Sequence, residues 1–361
     1  MEQLDLFGSK QKSTDWKWTF KDYPKEKNGL KVFSCFACGG GSTMGYKLAG
    51  CEVLGCCEID PKMNEVYVKN HNPKHNFLMD IRDFNKQDNL PKELYNLDIL
   101  DGSPPCTTFS MAGQREESWG KKKKFREGQQ EQTLDDLSFV FIETVAKLKP
   151  KVVLMENVEG LILGNAWQYV QKIYAKFNDI GYKVKHWLVK GEEMGVPQTR
   201  HRVIFVATRL DFNLDKIDMY FNYEPITYGE IKNGFVRKIG EHTESYKLIK
   251  AALPHEKSLG DVNARLYNKL SAFQTYLVGN DSIIPTMRSK PDIIDRYEAA
   301  YISRDTMTHS QTFPEDYNYG NETYSRVGYI CGMSVPPIMI KRVVKRLIKS
   351  EIFKNITEVD K

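Results

Sequence analysis

Two short strings carry residues that could do chemistry together. Ser103-Pro104-Pro105-Cys106 follows the apolar run Leu97-Asp98-Ile99-Leu100, and Glu156-Asn157-Val158 follows Val152-Val153-Leu154-Met155. Each string sits where a strand would end, and open α/β sheets build their ligand sites beyond the carboxyl ends of their strands. Cys106 is the candidate nucleophile, because a thiolate attacks carbon readily. Glu156 is the candidate acid, able to protonate or hydrogen-bond an electrophilic ring as charge develops on it. Taken singly, a cysteine after two prolines also reads as a small buried apolar residue, and Glu-Asn after a strand as a helix cap.

The elements that would position these residues alternate. Leu30-Lys31-Val32-Phe33-Ser34-Cys35-Phe36 reads as a strand, Gly39-Gly40-Gly41 as a tight turn, and residues 44–48 as a helix opening that stops at Gly50. Residues 53–58 form a second strand, and a helix runs from Pro61 to about residue 70, its first turn suited to proline. Short apolar runs at 97–100, 152–155 and 203–207, separated by helical stretches, argue an α/β fold with a doubly wound, mostly parallel sheet. Residues 210–300 are tyrosine-rich and read as irregular, a separate lobe. The C-terminal stretch 338–349 has apolar residues at Ile340, Val343, Val344, Leu347 and Ile348, a helix with one buried face. The expected organisation is a loosely held arm at 1–28, a catalytic and cofactor-binding domain at 29–208, a second domain at 209–303, and a closing segment at 304–361 that completes the first. A chain of 361 residues is long enough for two cores.

A glycine turn after the first strand with an acid ending the second is a nucleotide-binding arrangement, and Glu58 is the acid placed to take ribose hydroxyls. Cys38 stands where a dinucleotide fingerprint has its first glycine, which disfavours NAD and is tolerable only if its backbone keeps a negative φ. Asp80 could hydrogen-bond an adenine amine or merely cap a helix. A net charge of +5 permits nucleic acid binding without demanding it. The densest basic run, Lys121-Lys122-Lys123-Lys124-Phe125-Arg126, follows Cys106 and reads as a phosphate-contacting loop or a solvated one. Seven irregularly spaced cysteines fit a reducing compartment, and Cys35 and Cys38 lack a matching second pair, so no metal is expected. No apolar run approaches a membrane span and no leader is evident, so a cytoplasmic protein is expected.

With these residues in line, the chain closely resembles the cytosine-5 DNA methyltransferase family, of bacterial or phage type. Phe36-Ala37-Cys38-Gly39-Gly40-Gly41 resembles its first motif, Pro105-Cys106-Thr107-Thr108-Phe109-Ser110 its catalytic string and Glu156-Asn157-Val158 its acidic motif. Gln198-Thr199-Arg200-His201-Arg202 resembles its Gln-x-Arg-x-Arg motif, and Gln311-Thr312-Phe313-Pro314 and Gly332-Met333-Ser334-Val335-Pro336-Pro337 its two closing motifs. The resemblance implies S-adenosylmethionine as methyl donor and a flipped-out cytosine in double-stranded DNA as acceptor. It implies a Rossmann-like catalytic domain and target recognition by the 209–303 lobe, where Arg237, Arg265, Gln274 and Arg288 are available to read bases. Catalysis would rest on Cys106 and Glu156, with Arg202 orienting the base and Arg200 and Gln198 supporting the site or its DNA contacts. Donor contacts would come from Phe36, Ala37, Cys38, Gly39, Gly40, Glu58, Ile59, Asp80, Ile81, Pro105, Leu134, Met333, Ser334 and Val335. Met333 replaces the family's usual asparagine, and Met333→Asn is expected to tighten donor binding. A monomer, with a cognate restriction endonuclease as possible partner, is implied. The alternatives are a catalytically impaired DNA-binding protein of the same fold and an RNA cytosine-5 methyltransferase.

Overall fold

The computed structural model describes residues 10–105, 137–321 and 323–354, so Cys106, Leu134 and the basic run at 121–126 lie outside the described residues. Packing gathers these residues into two compact units. One comprises Lys21–Val189, His201–Met219 and Ser334–Lys361; the other comprises Lys190–Arg200 and Tyr220–Met333 with the chain up to Phe20.

The first unit is built on a seven-stranded sheet. Its strands are β1 (Lys31–Cys35), β2 (Glu52–Glu58), β3 (His75–Leu78), β4 (Ile99–Gly102), β5 (Val152–Val158), β6 (Lys183–Lys190) and β8 (His201–Thr208), in the order β3-β2-β1-β4-β5-β8-β6. Between β6 and β8 in the chain lies β7 (Gln198–Thr199), which belongs to the other unit. β1 is buried at four successive positions and β5 at six, which is why both read as unbroken apolar runs: a strand covered on both faces has no polar alternation. The pairs β1–β2, β2–β3, β1–β4 and β4–β5 are parallel, and β5–β8 is antiparallel. The expected doubly wound, mostly parallel sheet is therefore present. Winding runs from β1 outward to β3 and resumes on the other side at β4, so the switch point falls between the exits of β1 and β4.

Helices α1 (Gly41–Leu48), α2 (Pro61–His71), α3 (Ile81–Asn85), α4 (Leu137–Leu148) and α5 (Trp167–Asp179) connect the strands. The boundaries of α2 follow its local chemistry. The Asp60 side chain accepts from the Lys62 and Met63 amides, Pro61 opens the first turn, and Asn72 ends the helix at φ 43°. The last helix of the chain, here α11 (Pro337–Lys349), buries Ile340, Val343, Val344 and Leu347 as expected, whereas Ile348 is 37% exposed. Its apolar face packs against α1. A Cβ at Gly45 would fall 2.5 Å from Ile340 Cβ and 2.6 Å from the Pro337 carbonyl, so only glycine admits this approach.

The second unit is more regular than its sequence suggests. Helices α6 (Tyr228–Ile231), α7 (Glu244–Ala251) and α8 (Leu259–Tyr267) accompany a four-stranded sheet of β9 (Phe235–Lys238), β10 (Tyr276–Val278), β12 (Ile293–Asp295) and β13 (Ala300–Ile302), ordered β10-β12-β13-β9. The two-residue strand β11 (Ile284–Pro285) pairs in parallel with β7. Leu248, Ile249, Leu259, Val262, Leu277 and Ile294 make a core between α7, α8 and this sheet. The reading of 210–300 as irregular is corrected: its helices are short and individually capped, and two of its strands pair with neighbours close in sequence. Helices α9 (Arg304–Ser310) and α10 (Tyr324–Met333) also belong here. The N-terminal stretch is not loose where it is described. Trp18 is 5% exposed and its indole N–H donates to the Thr312 carbonyl at 2.8 Å. The stretch Tyr324–Lys349 is apolar enough in composition to cross a membrane, but 83% of its most apolar window is buried, so packing accounts for its hydropathy.

Candidate active site

The switch point of the sheet holds the glycine turn on one side and the exit of β4 on the other. After β1 the chain makes two left-handed residues before its glycines: Phe36 at φ 57°, Cys38 at φ 46°, then Gly40 at φ 84°. The condition set for Cys38, a negative φ, is not met. A residue with a side chain is held in a conformation that costs about 1 to 2 kcal/mol, and such outliers gather at ligand sites. Glu58, 6% exposed at the end of β2, holds the turn in that shape: its Oε2 accepts from the Cys38 amide at 2.8 Å and its Oε1 from the Asp60 amide at 2.9 Å. Burial pushes the Glu58 carboxyl up, against the pull of these amides. The Ile59 amide is a third donor to this carboxylate, so most of its acceptor positions are taken and a remaining one can accept from a diol.

Beneath the turn lies a residue that its sequence context does not single out. His71, at the end of α2, is buried, its Nε2 3.4 Å from the Gly39 carbonyl and its ring edge-on to Tyr67. Burial, then the charge of Lys47, drives its pKa down to about 3, so it is neutral. A Cβ on Gly40 would fall 1.9 Å from His71 Nε2, and one on Gly41 would fall 2.0 Å from the Val335 carbonyl. Val335 is thereby placed against the turn. Ser334 beside it is 2% exposed. Met333 ends α10 and is half-buried. Asp80 caps α3 through the Arg82 amide at 2.8 Å and pairs with the Arg82 guanidinium at 3.2 Å, so the capping role is realised. Ile81 is 4% exposed and packs in the core, which leaves its backbone rather than its side chain for a ligand. Ile59, Phe36 and Pro105 are half-buried and Ala37 is buried.

The two strings that suggested chemistry are tied to each other. Asn157 donates from Nδ2 to the Pro104 carbonyl at 3.3 Å, joining the exit of β5 to the exit of β4. Glu156 is 7% exposed, and the Nε of Arg202 lies 2.5 Å from its Oε1. The N–H itself is not aimed at that oxygen, so the contact is one of charge. Arg202 Nη1 also donates to the His201 carbonyl at 2.7 Å. In the β5–β8 register Val158 lies opposite Arg202 and Glu156 opposite Ile204, so acid and guanidinium are diagonal neighbours on one face.

Arg200 and Gln198 do something different. Gln198 is fully buried in the second unit, donating to the Ser310 carbonyl at 3.2 Å and the Gln311 side chain at 2.9 Å and accepting from the Met287 amide at 2.8 Å. Arg200, 3% exposed, donates to the Met287 carbonyl at 3.1 Å and the Gly332 carbonyl at 3.4 Å. These are scaffold contacts, not free groups awaiting phosphate. Among the possible base readers, Arg265 is held by Glu256 at 2.7 Å and by the Ala251 carbonyl at 2.8 Å. Arg288 lies over the Tyr276 ring and Arg237 over the Tyr301 ring. Arg237 and Gln274 are exposed.

The doubly wound sheet thus carries a glycine turn with left-handed residues at its switch point and, at the exit of β5, a buried acid beside a guanidinium. Residues 30–349 match the C-5 cytosine-specific DNA methylase family, and the chain belongs to it. It is 32% identical over 203 residues to the type II methyltransferase M.FnuDI of Fusobacterium nucleatum, covering 56% of this chain and 53% of that protein. It is also 32% identical over 180 residues to type II methyltransferase M.HindV of Haemophilus influenzae, covering 49% and 53% respectively. The matched region thus spans about half the length of these curated relatives. In three dimensions it is similar to a DNMT2 variant of Spodoptera frugiperda, with a TM-score of 0.62 at 16% identity over 89% of this chain and all of that one. The Entamoeba histolytica methyltransferase EhMeth aligns with a TM-score of 0.54 at 14% identity over 92% of this chain and 100% of its own.

Proposed function

We propose that this protein transfers a methyl group from S-adenosylmethionine to carbon 5 of a cytosine in a specific sequence of double-stranded DNA. The observation that carries this reading is the Glu156–Arg202 pair at the exit of β5, joined through Asn157 to the strand end that leads into Cys106. The residues around the glycine turn suit the donor. Glu58 retains acceptor capacity for the ribose hydroxyls, and Gly40 and Gly41 let the turn close directly onto His71 and the Val335 carbonyl. When bound there, S-adenosylmethionine supplies an electrophilic sulfonium methyl.

The chain's own residues prepare the acceptor. Cys106 attacks carbon 6 of the ring; a C–S bond forms and the double-bond electrons move to carbon 5, which becomes the nucleophile. Glu156 holds ring nitrogen 3 and the exocyclic amine, stabilising the charge that develops after attack. Arg202 sits beside Glu156, where it keeps that carboxyl in place and can meet the ring carbonyl. Once carbon 5 is methylated, loss of its proton and departure of the thiolate restore the aromatic ring. The base must leave the duplex first, at a cost of a few kcal/mol. A restriction endonuclease as partner is suggested by the type II relatives. The test is incubation with labelled S-adenosylmethionine and either duplex DNA or RNA, followed by mapping of modified cytosines. Methylation of DNA at one motif, abolished by Cys106→Ala, is expected. Product on RNA alone, or DNA binding without product, would refute it.

A further inference from the structure

The sheet holds a further buried carboxyl that the proposed chemistry does not use. Asp101 lies at the third position of β4, 1% exposed, directly opposite Ser34 of β1 in the parallel register. Ser34 Oγ donates to its Oδ2 at 2.5 Å and Tyr46 donates to its Oδ1 at 3.1 Å, while the Ser42 hydroxyl is a third hydrogen-bonding neighbour. Ser42 and Tyr46 are both on α1, the helix that begins where the glycine turn ends. A single side chain therefore joins the strand leading to Cys106, the strand leading into the turn, and the helix leading out of it.

Among the described residues, the other groups facing Asp101 are Cys35 on β1, Tyr67 on α2 and Glu156, which sits on the same face of the neighbouring strand β5. None is a cation. Burial raises the Asp101 carboxyl to about 7, and the charge of Glu156 adds to the rise; the three hydroxyls oppose it because each can donate to an anion. Cys35 and Tyr67 are pushed well above their ordinary values, and His71 takes a proton only near 3.

We infer that Asp101 is a positioning residue whose ionised carboxylate draws α1, and with it the glycine turn, onto β4, so that the donor's seat is set by the charge on this one group. The inference rests on reading that turn as the donor site. An anion accepts from all three hydroxyls at once. A protonated carboxyl must turn one oxygen into a donor and releases or inverts one of those hydrogen bonds.

The test is titration of the full-length protein with S-adenosylmethionine alone, at about pH 6 and about pH 8, for the wild type and Asp101→Asn. The wild type is expected to bind roughly tenfold more weakly at the lower pH, about the worth of one hydrogen bond to a charged group. Its midpoint should fall near 7. Asp101→Asn should bind at the wild type's low-pH strength at both. Tyr46→Phe removes one donor to the anion and should move the wild-type midpoint upward, which keeps the inference testable if Asp101→Asn folds poorly. Thermal unfolding separates a merely structural role. A carboxyl raised in the fold favours the folded state in acid, so its own effect on stability runs opposite to the expected loss of affinity. Wild-type affinity that is equal at both pH values, or a dependence that survives in Asp101→Asn, overturns the inference while leaving the donor reading intact. A protein that binds no S-adenosylmethionine at either pH overturns both.

Discussion

Gly40→Ala is the sharpest perturbation of the glycine turn proposed to seat the donor, because two separate costs fall on one methyl group. The first is conformational. At φ 84° an alanine is in the left-handed region, at about 1 to 2 kcal/mol. The second is steric. The new Cβ would lie 1.9 Å from His71 Nε2, 1.5 Å short of the 3.4 Å at which ordinary contact begins. His71 has little room to withdraw, since its ring is packed 4.7 Å from Tyr67 and its own carbonyl is held by Lys47 at 3.1 Å. Overpacking of this kind costs about 1 to 3 kcal/mol. The two together come to about 2 to 5 kcal/mol, and if the turn absorbs them, affinity for S-adenosylmethionine falls by roughly one and a half to three and a half orders of magnitude.

His71→Ala isolates the steric part. In the double variant the clash is gone and only the conformational cost remains, so a cycle of titrations and melting curves should give a coupling of about 1 to 3 kcal/mol. Strict additivity, a coupling below about 0.5 kcal/mol, would refute the claim that His71 is the floor of the turn. A pH series gives an independent check. His71 has its folded pKa depressed to about 3, so its contribution to stability is present above its ordinary 6.5 and is lost as pH falls between the two values. The loss in that window is about 1.4 kcal/mol per pH unit, and His71→Gln should remove it.

Three further outcomes are expected. Glu156→Gln should keep the fold and lower the methylation rate roughly 10²- to 10⁴-fold, whereas Arg202→Met leaves a buried carboxylate without its cation and should cost about 3 to 5 kcal/mol in unfolding, much of it recovered in the double variant. Neutralising Lys121, Lys122, Lys123 and Lys124 should make DNA binding less steeply dependent on salt, by a slope of about 0.9 for each phosphate that gives up its lysine partner; an unchanged slope would mean that the run is merely solvated. Arg237→Ala should alter which sequences are methylated, read by sequencing of the product, while Arg265→Ala should lower the melting temperature and leave the target unchanged.

Most of the scaffold around the site could be read from residue types, for identifiable reasons. A strand buried on both faces leaves an apolar run, as in β1 and β5, and a proline after an acid leaves a helix start, as at Asp60 and Pro61. The second unit was harder because its elements are short. Ser258 and Asp261 form a capping box at the start of α8, a signal present in the sequence but outweighed by the lack of a long periodic segment. Backbone conformation was less legible still. Nothing in Cys38 announces φ 46°, since the strain is set by Glu58 accepting its amide from another strand. Nor could the sequence separate Arg265 from Arg237, because the carboxylate that holds Arg265 is a matter of tertiary placement. Asp101 did leave a mark, an acid inside an otherwise apolar strand, whose meaning needed its three hydroxyl neighbours.

The antiparallel strand β8 shows how topology, rather than composition, completes the acid's surroundings. Were β8 parallel to β5 like the rest, its last residue, Thr208, would lie beside the exit of β5, and Arg202 would sit at the opposite edge of the sheet. Reversal places Arg202 across from Val158, one diagonal step from Glu156, where a long side chain can span the gap. The same reversal explains the division of labour within one motif. Residues 198–200 arrive at the strand's start still committed to the second unit, where Gln198 and Arg200 are buried among carbonyls. Only from His201 does the chain join the sheet, and the first arginine it carries there is the one that meets the acid. Two arginines two residues apart thus hold different parts of the protein, and exchanging their roles by shifting the register one residue would turn Arg202 to the other face of the strand, away from Glu156.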